Sequence, residues 1–471
     1  MNIILLSGGS GKRLWPLSND IRSKQFIQIF RKADGEYESM VQRVYRQIRS
    51  VDPEATVTIA TSKSQVSAIR NQLGDSVGIS IEPCRRDTFP AIALATAYLH
   101  DVLKVPEDEA VVVCPVDPYV DDAYFECVRK LCETAQHGDK SLVLMGIEPT
   151  YPSEKYGYIQ PDGAGGYTFK EKPSKEKAAE YIAGGALWNG GVFAYQLRYV
   201  LKKSGELLGS RDYRTLFDRY ADLKKISFDY AVVEQETSLE VIRYAGTWKD
   251  LGTWNTLSEA ISDQHYPHGG QVQAGTSPQT GTSPQAGTSP QAGTSPQAGN
   301  IIGNARMDEK CENLHIINEL ELPILAMGIK DAVIAASPDG ILVSDKERSG
   351  YIKQYVDDID QQVMFARKSW GNYRVLDVEK DSLTVKVSLK PNSRMNYHSH
   401  QFRDEIWTVI SGAGTAVVDG ETRKIAVGDV IRMQAGQKHT VLAGPDGLLM
   451  TEVQLGPEIS AADKQKYPWP L

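Results

Sequence analysis

The chain has 471 residues, too many for a single hydrophobic core, and its length suggests two to four domains. Its residues are 41% hydrophobic and 24% charged, an ordinary balance for a soluble protein. A net charge of −8 and a pI near 5.6 argue against broad binding to nucleic acid or anionic membrane, while leaving room for a local basic pocket. The apolar run at 3–6 lacks a basic flank and is too short for a signal peptide or a membrane span. Five scattered cysteines (Cys84, Cys114, Cys127, Cys132 and Cys311) show neither CxxC nor zinc spacing and fit reduced thiols. The expected location is the cytoplasm, with no nucleic-acid and no membrane partner.

In chain order, 2–6, 56–60, 77–81, 110–114 and 141–145 read as buried strands, with helices expected at 39–49, 91–103 and 123–135. This βαβ rhythm predicts a mostly parallel sheet covered on both faces, with its ligand site at the carboxyl ends of the strands. The pattern loosens after Pro149 and continues to about residue 260. Residues 275–298 repeat Gly-Thr-Ser-Pro-Gln-Ala/Thr four times and read as a flexible linker without apolar side chains to bury. Short apolar stretches at 314–317, 324–327 and 332–335 predict a small β-rich module. Beyond it, 384–387, 406–410, 415–418, 430–432 and 448–453 predict strands of a β-sandwich or barrel.

The first strand runs directly into Ser7-Gly8-Gly9-Ser10-Gly11-Lys12-Arg13-Leu14. Gly8, Gly9 and Gly11 let backbone N–H groups approach an anion, and Lys12 and Arg13 add positive charge, so these residues are candidates for nucleotide binding. The loop is not a Walker A motif, because Leu6 stands where its first glycine belongs and Arg13 where Ser or Thr should follow the lysine. It is not a dinucleotide fingerprint either, because Leu14 occupies the third glycine position.

The run from Gly9 to Ser18 resembles the Gly-x-Gly-x-Arg-Leu-x-Pro-Leu-Ser signature of sugar-nucleotide pyrophosphorylases. Further segments are similar to those of the bacterial mannose-1-phosphate guanylyltransferase family in its long form, fused to a type II mannose-6-phosphate isomerase domain. They are Ser23-Lys24-Gln25-Phe26, the Glu82–Ala91 block, Tyr156-Gly157-Tyr158-Ile159, Phe169-Lys170-Glu171-Lys172-Pro173, Trp188-Asn189-Gly190-Gly191 and Phe228-Asp229-Tyr230-Ala231. The resemblance spans nearly the whole chain apart from the repeat tract. It implies an α/β nucleotidyltransferase domain with a Rossmann-like mixed sheet over 1–262 and a low-complexity linker over 263–299. A short left-handed β-helix-like module at 300–360 and a cupin β-barrel at 361–471 complete the expected fold.

The resemblance also implies roles. Arg13 and Lys24 would contact a triphosphate, Lys172 the phosphate of a sugar, and Glu171 and Asn189 the sugar hydroxyls. Tyr156, Gly157 and Asp229 fall in the sugar-binding motifs, and Arg86 and Asp87 in the block that points towards mannose and guanine. Asp117 and Asp250 would hold Mg²⁺, as hard oxygen ligands suit that ion. The implied reaction joins GTP and mannose 1-phosphate, two anions whose mutual repulsion makes charge neutralisation and positioning the main tasks. Two departures stand out: Asp87 replaces the usual Asn, and Pro118 replaces the usual His after Asp117.

In the last hundred residues His398, His400, Glu405 and His439 form a cupin-like ligand set. Strand alternation puts His398 and His400 on one face, where both imidazoles can reach one ion such as Zn²⁺, Mn²⁺ or Co²⁺. Compared with the fused isomerases, Arg403, Glu405 and Trp407 are retained, Ile406 replaces a histidine, and His398 stands where glutamine is usual. Arg403 is thus a candidate for isomerase chemistry. Both an active isomerase and a non-catalytic, sugar-sensing cupin are open on these residues, as are another sugar 1-phosphate or another nucleotide for the first domain. A homodimer through the middle module is expected.

Overall fold

The computed structural model describes residues 1–9, 12–19, 21–163, 166–265, 299–357, 359 and 363–469. Gly11 of the glycine loop and the repeat tract at 275–298 lie outside the described residues. The first domain is built on a nine-stranded sheet. Asn2–Leu6 lies parallel between Thr56–Ser62 and Ala110–Pro115, and Thr56–Ser62 pairs in parallel with Gly78–Glu82. The other half is mixed, because Leu187–Gln196 runs antiparallel to Ala110–Pro115, to Leu142–Ile147 and to Gly157–Pro161. The expectation of a mostly parallel sheet therefore holds only for the half formed by Asn2–Leu6, Thr56–Ser62, Gly78–Glu82 and Ala110–Pro115. The βαβ rhythm stops after Leu142–Ile147, and the return strand follows a hairpin and a helix at Lys175–Ala183.

The helices form where the sequence provides caps and apolar faces. Ser39 Oγ accepts from Gln42 N while Ser39 N donates to Gln42 Oε1, a capping box that starts Met40–Val51. Thr88–Asp101 is Ala- and Leu-rich and buried along most of its length. A helix apolar on every side is stable only when enclosed, and this one packs between the sheet and the helices Leu197–Leu208 and Tyr213–Asp218.

The middle module stacks short strands in parallel. Asn300–Gly303, His315–Asn318 and Ala332–Ser337 pair in register, and Ala305–Met307 pairs with Ile324–Ala326. Two parallel ladders from successive short strands make the β-helix-like coil. Ile317, Val333 and Ala335 share a core with Leu14, Leu17, Leu251 and Trp254 of the first domain. Side-chain bonds tie the two units together: Asn19 Nδ2 donates to Asp339 Oδ2 at 2.7 Å, and Arg22 forks onto Glu319 at 2.6 Å through each nitrogen.

In the C-terminal domain, Asp404–Val418 and His439–Leu455 are long antiparallel partners. The separate strands expected at 406–410 and 415–418 are thus one strand of 15 residues. The Gly412-Ala413-Gly414 segment bends it through register shifts at Val409/Ser411 and Gly412/Gly414. Gly412 has φ +80°, and a Cβ there would lie 2.3 Å from the Gly447 carbonyl oxygen. Gly428, also at positive φ, makes a true turn between Glu421–Ala426 and Val430–Met433.

Candidate functional sites in the two domains

The glycine loop and Asp117 emerge side by side because their strands are parallel neighbours, with Leu6 in register with Pro115. Gly9 has φ +144° and nothing within 4 Å of a would-be Cβ, so its backbone lies open at the lip of the sheet. The loop is held from beneath by buried polar groups. Gln65 Nε2 donates to Ser23 Oγ at 2.7 Å and to the Gly9 carbonyl at 3.4 Å, and Gln65 Oε1 accepts from Ser7, Thr61 and Gln25. Nothing in the spacing of these glutamines announces such a network.

A small antiparallel pair, Trp248–Asp250 against Pro118–Val120, sets Asp250 opposite Pro118 and brings the two predicted metal carboxylates together. Each strand is three residues long and escapes a periodicity reading. Lys24 joins both loops: its Nζ lies 2.8 Å from Asp117 Oδ2 and 3.3 Å from the Leu251 carbonyl. Burial pushes the Asp117 carboxyl up, but Lys24, with Arg13 adding to it, outweighs this and holds it below the usual range. Asp250 goes the other way. Its burial, with Asp117 adding, outweighs the attraction of Lys24 and Arg13. Two neighbouring carboxylates under unequal cationic control make a suitable seat for a divalent ion. Arg13 is exposed, and Lys12 pairs with Asp357 at 3.5 Å.

The predicted sugar-side residues form a second wall. Lys172, at φ 45°, places its Nζ 2.6 Å from Glu171 Oε1. Gly157 leaves room for this pair, because a Cβ there would lie 2.6 Å from Glu171 Oε2. Asn189 Nδ2 donates to Asp229 Oδ1 at 2.7 Å. Tyr156 packs edge-on against Trp188 and Trp248, with centroids 4.9 and 5.3 Å apart, and so links the Asn189 strand to the Asp250 loop. Trp248 and Trp188 are aromatic members of this wall to which the motif reading gave no role, although Trp188 opens the Trp188-Asn189-Gly190-Gly191 motif. Arg86 donates to the Ala221 carbonyl, and Asp87, at φ 72°, caps Thr88–Asp101 through the Thr88 N–H at 2.8 Å. The Asp standing for the usual Asn thus has a structural task of its own.

Burial, reinforced by Glu171, raises the Asp229 carboxyl to about 6. Its folded value lies above the ordinary carboxylate value, so the folded chain binds more protons between the two, and stability falls as pH rises through that window. Asp229→Asn should flatten this slope between about pH 4 and 6. Thermal melts across that range would show it, and an unchanged slope would mean that Asp229 titrates normally.

In the C-terminal domain His398, His400, Glu405 and His439 are all buried, with one ligand atom from each lying within 4.8 Å of the others. His400 Nε2 is 3.1 Å from Glu405 Oε1, and His439 Nε2 is 3.1 Å from Glu405 Oε2. The Nδ1 atoms of His398 and His439 face the carbonyls of Asn396 and Gln437 at 2.7 and 2.9 Å, which leaves each Nε2 for the centre. Glu405 Oε2 and His439 Nε2 are buried and, apart from their 3.1 Å approach to each other, have no hydrogen-bond partner. Burial first, then Lys464, holds the His398 imidazole down to about 2, in the neutral form a metal requires. Buried imidazole nitrogens converging on one carboxylate fit a transition-metal ion.

Arg403 is buried beside this cluster, 3.4 Å from Glu405 Oε1 and 3.2 Å from His400 Nε2. Ile406 alternates away from Glu405 and Trp407, so the histidine it replaces would lie on the opposite strand face from the cluster. Sequence reasoning missed Glu452, Asp463 and Lys464. Glu452 is buried and raised to about 7 by burial and by Glu405. Lys464 arrives because Lys464–Lys466 pairs with His398–His400, setting it opposite His400. Only the register reveals it.

A nine-stranded α/β sheet with a glycine loop and paired aspartates at its lip defines the nucleotidyl transferases, and this chain belongs to that family: the Nucleotidyl transferase model matches residues 2–266. The Mannose-6-phosphate isomerase C-terminal model matches residues 357–467, so the cluster of three histidines and Glu405 lies in an isomerase-type domain fused behind a transferase. The chain is 28% identical to Xanthan biosynthesis protein XanB of Xanthomonas campestris pv. campestris (strain B100), covering 98% of this chain and 97% of that protein. It is 26% identical to Mannose-1-phosphate guanylyltransferase RfbM of Salmonella typhimurium, covering 98% and 95%. A crystal structure described as mannose-1-phosphate geranyltransferase from Thermus thermophilus superposes with a TM-score of 0.58 at 26% identity, covering 76% of this chain and 98% of that one. Among the described residues no helix is long and apolar enough to cross a membrane.

Proposed function

We propose that the chain is a mannose-1-phosphate guanylyltransferase, converting GTP and α-D-mannose 1-phosphate to GDP-mannose and pyrophosphate. The observation that carries this reading is Lys24 lying across the Asp117 and Asp250 loops at the lip of the glycine loop. There, Asp117 and Asp250 would hold Mg²⁺, which supplies charge neutralisation to the phosphates. Gly8, Gly9, Lys12 and Arg13 present N–H groups and positive charge to the triphosphate, and Arg86 would face the base side. On the opposite wall Lys172 offers its ammonium to the sugar phosphate, while Glu171, Asn189 and Asp229 bond hydroxyls around the Tyr156 ring. The relatives named for this activity match almost end to end, which supports the choice of substrates. Screening nucleoside triphosphates against sugar 1-phosphates for pyrophosphate release tests it. The highest kcat/KM should fall on GTP with mannose 1-phosphate, and a preference for another pair would overturn the assignment.

A second activity, mannose 6-phosphate isomerisation, is favoured by the buried cluster of three histidines and Glu405 with Arg403 against it. Zn²⁺, Mn²⁺ or Co²⁺ would polarise the carbonyl there. Failure to interconvert mannose 6-phosphate and fructose 6-phosphate with each ion added would leave a non-catalytic, sugar-sensing cupin. The homodimer would form through the middle module, where Leu325, Met327, Ile341 and Val343 are each more than half exposed.

A further inference from the structure

The first and last domains meet across a cavity of about 510 Å³ that includes none of the residues of either site. Among the described residues its lining carries Arg22, Arg367 and Lys390 and no Asp or Glu, in a chain whose net charge is −8. Arg22 is paired with Glu319 at the edge, but the other two cations rest on neutral acceptors. Arg367 Nη1 donates to Gln28 Oε1 at 2.5 Å, and Lys390 Nζ donates to Asn71 Oδ1 at 2.7 Å. An amide oxygen orients a cation without discharging it, so both keep their charge for a ligand. Burial and then the nearby Arg22 lower the Arg367 guanidinium, with Glu319 opposing them in part, and an anion between the two cations would relieve the remaining repulsion. Asn372 adds an amide group suited to hydroxyls, while the amides of Gln42 and Gln72 are engaged with Ser39, Gln28 and Phe26 and make the wall rigid.

We propose that this interdomain cleft binds a phosphorylated, hexose-sized molecule, with its phosphate on Arg367 and Lys390, and that occupancy alters nucleotidyl transfer. The binding stands apart from the proposed activity; the effect on transfer rests on it. The cleft walls explain the coupling. One is the 21–28 segment, which carries Ser23, Lys24 and Gln25. The other is the helix Val66–Leu73, which follows directly on Gln65. Gln65 and Ser23 hold the glycine loop, and Lys24 holds Asp117. From the C-terminal side, Asn71 Nδ2 donates to the Lys368 carbonyl at 2.6 Å. A ligand that shifts Arg367 or Lys390 therefore pulls on elements that end in the transferase site.

Calorimetric titration of the full chain with mannose 6-phosphate and with inorganic phosphate tests the site. The proteins compared are a His398→Gln/His439→Asn variant, which lacks the proposed isomerase metal site, and a cleft variant that adds Arg367→Gln and Lys390→Gln to it. The sugar phosphate should bind the histidine variant, and the cleft variant, melting at the same temperature, should bind at least about tenfold more weakly. Equal binding by the two, or no binding by the histidine variant, would overturn the site. Inorganic phosphate binding as tightly as the sugar phosphate would overturn the hexose-sized ligand. A pyrophosphate-release rate that shifts with mannose 6-phosphate in the histidine variant but not in the cleft variant supports the coupling. A rate that stays constant despite binding refutes it.

Discussion

Asp117→Asn and Asp250→Asn should each lower pyrophosphate release from GTP and mannose 1-phosphate by about 100-fold or more, with the fold intact. Losing one of two anionic ligands removes several kcal/mol of charge stabilisation where phosphates converge, and each ~1.4 kcal/mol is a factor of ten. The same replacements relieve repulsion between two neighbouring carboxylates, one of which is already raised by burial and by the other. The melting temperature of Asp250→Asn should therefore hold or rise, which separates a catalytic loss from unfolding, whereas Asp117→Asn also loses its ion pair with Lys24 and should melt somewhat lower. Stopped-time pyrophosphate assays beside thermal melts make the comparison. Near-wild-type rates in both variants would remove the metal assignment.

The second large effect concerns the C-terminal cluster. After exhaustive desalting, the wild-type chain should retain a divalent transition metal, and His439→Asn should retain none. A buried site whose Glu405 Oε2 and His439 Nε2 atoms have only each other gains both coordination and better satisfied polar groups when an ion enters. At an ion concentration of about 1,000 times Kd the bound form is stabilised by about 4 kcal/mol, enough to raise the melting transition of this domain by several degrees. Elemental analysis and melts with and without a chelator read both effects. A wild-type protein with no metal and no chelator sensitivity would leave the cluster as a buried polar network.

Strong local signals carried much of this into the sequence. The run 110–114 is apolar throughout because Ala110–Pro115 is buried in the sheet, so both the strand and the position of Asp117 after it were legible. His398 and His400 sit two apart in a strand, which alternation converts directly into a shared face. What stayed hidden depends on register and long-range pairing. Trp248–Asp250 is too short to show a period, yet its pairing with Pro118–Val120 is what unites the two aspartates. At Gly412 the partner strand continues, so the chain bends and stays paired, which only the register shows. Glu452 and Lys464 reach the cluster through pairings whose partners lie dozens of residues away. The cationic cleft exists only because Gln28 and Asn71 of one domain meet Arg367 and Lys390 of another.

The most direct test of the account is a crystal structure with a non-hydrolysable GTP analogue and Mn²⁺ standing in for Mg²⁺, located by its anomalous scattering. The ion should lie at bonding distance, about 2.0–2.3 Å, from carboxylate oxygens of Asp117 and Asp250, with the triphosphate along Gly8, Gly9 and Arg13. An ion held by other residues, or a triphosphate bound away from that loop, would contradict it.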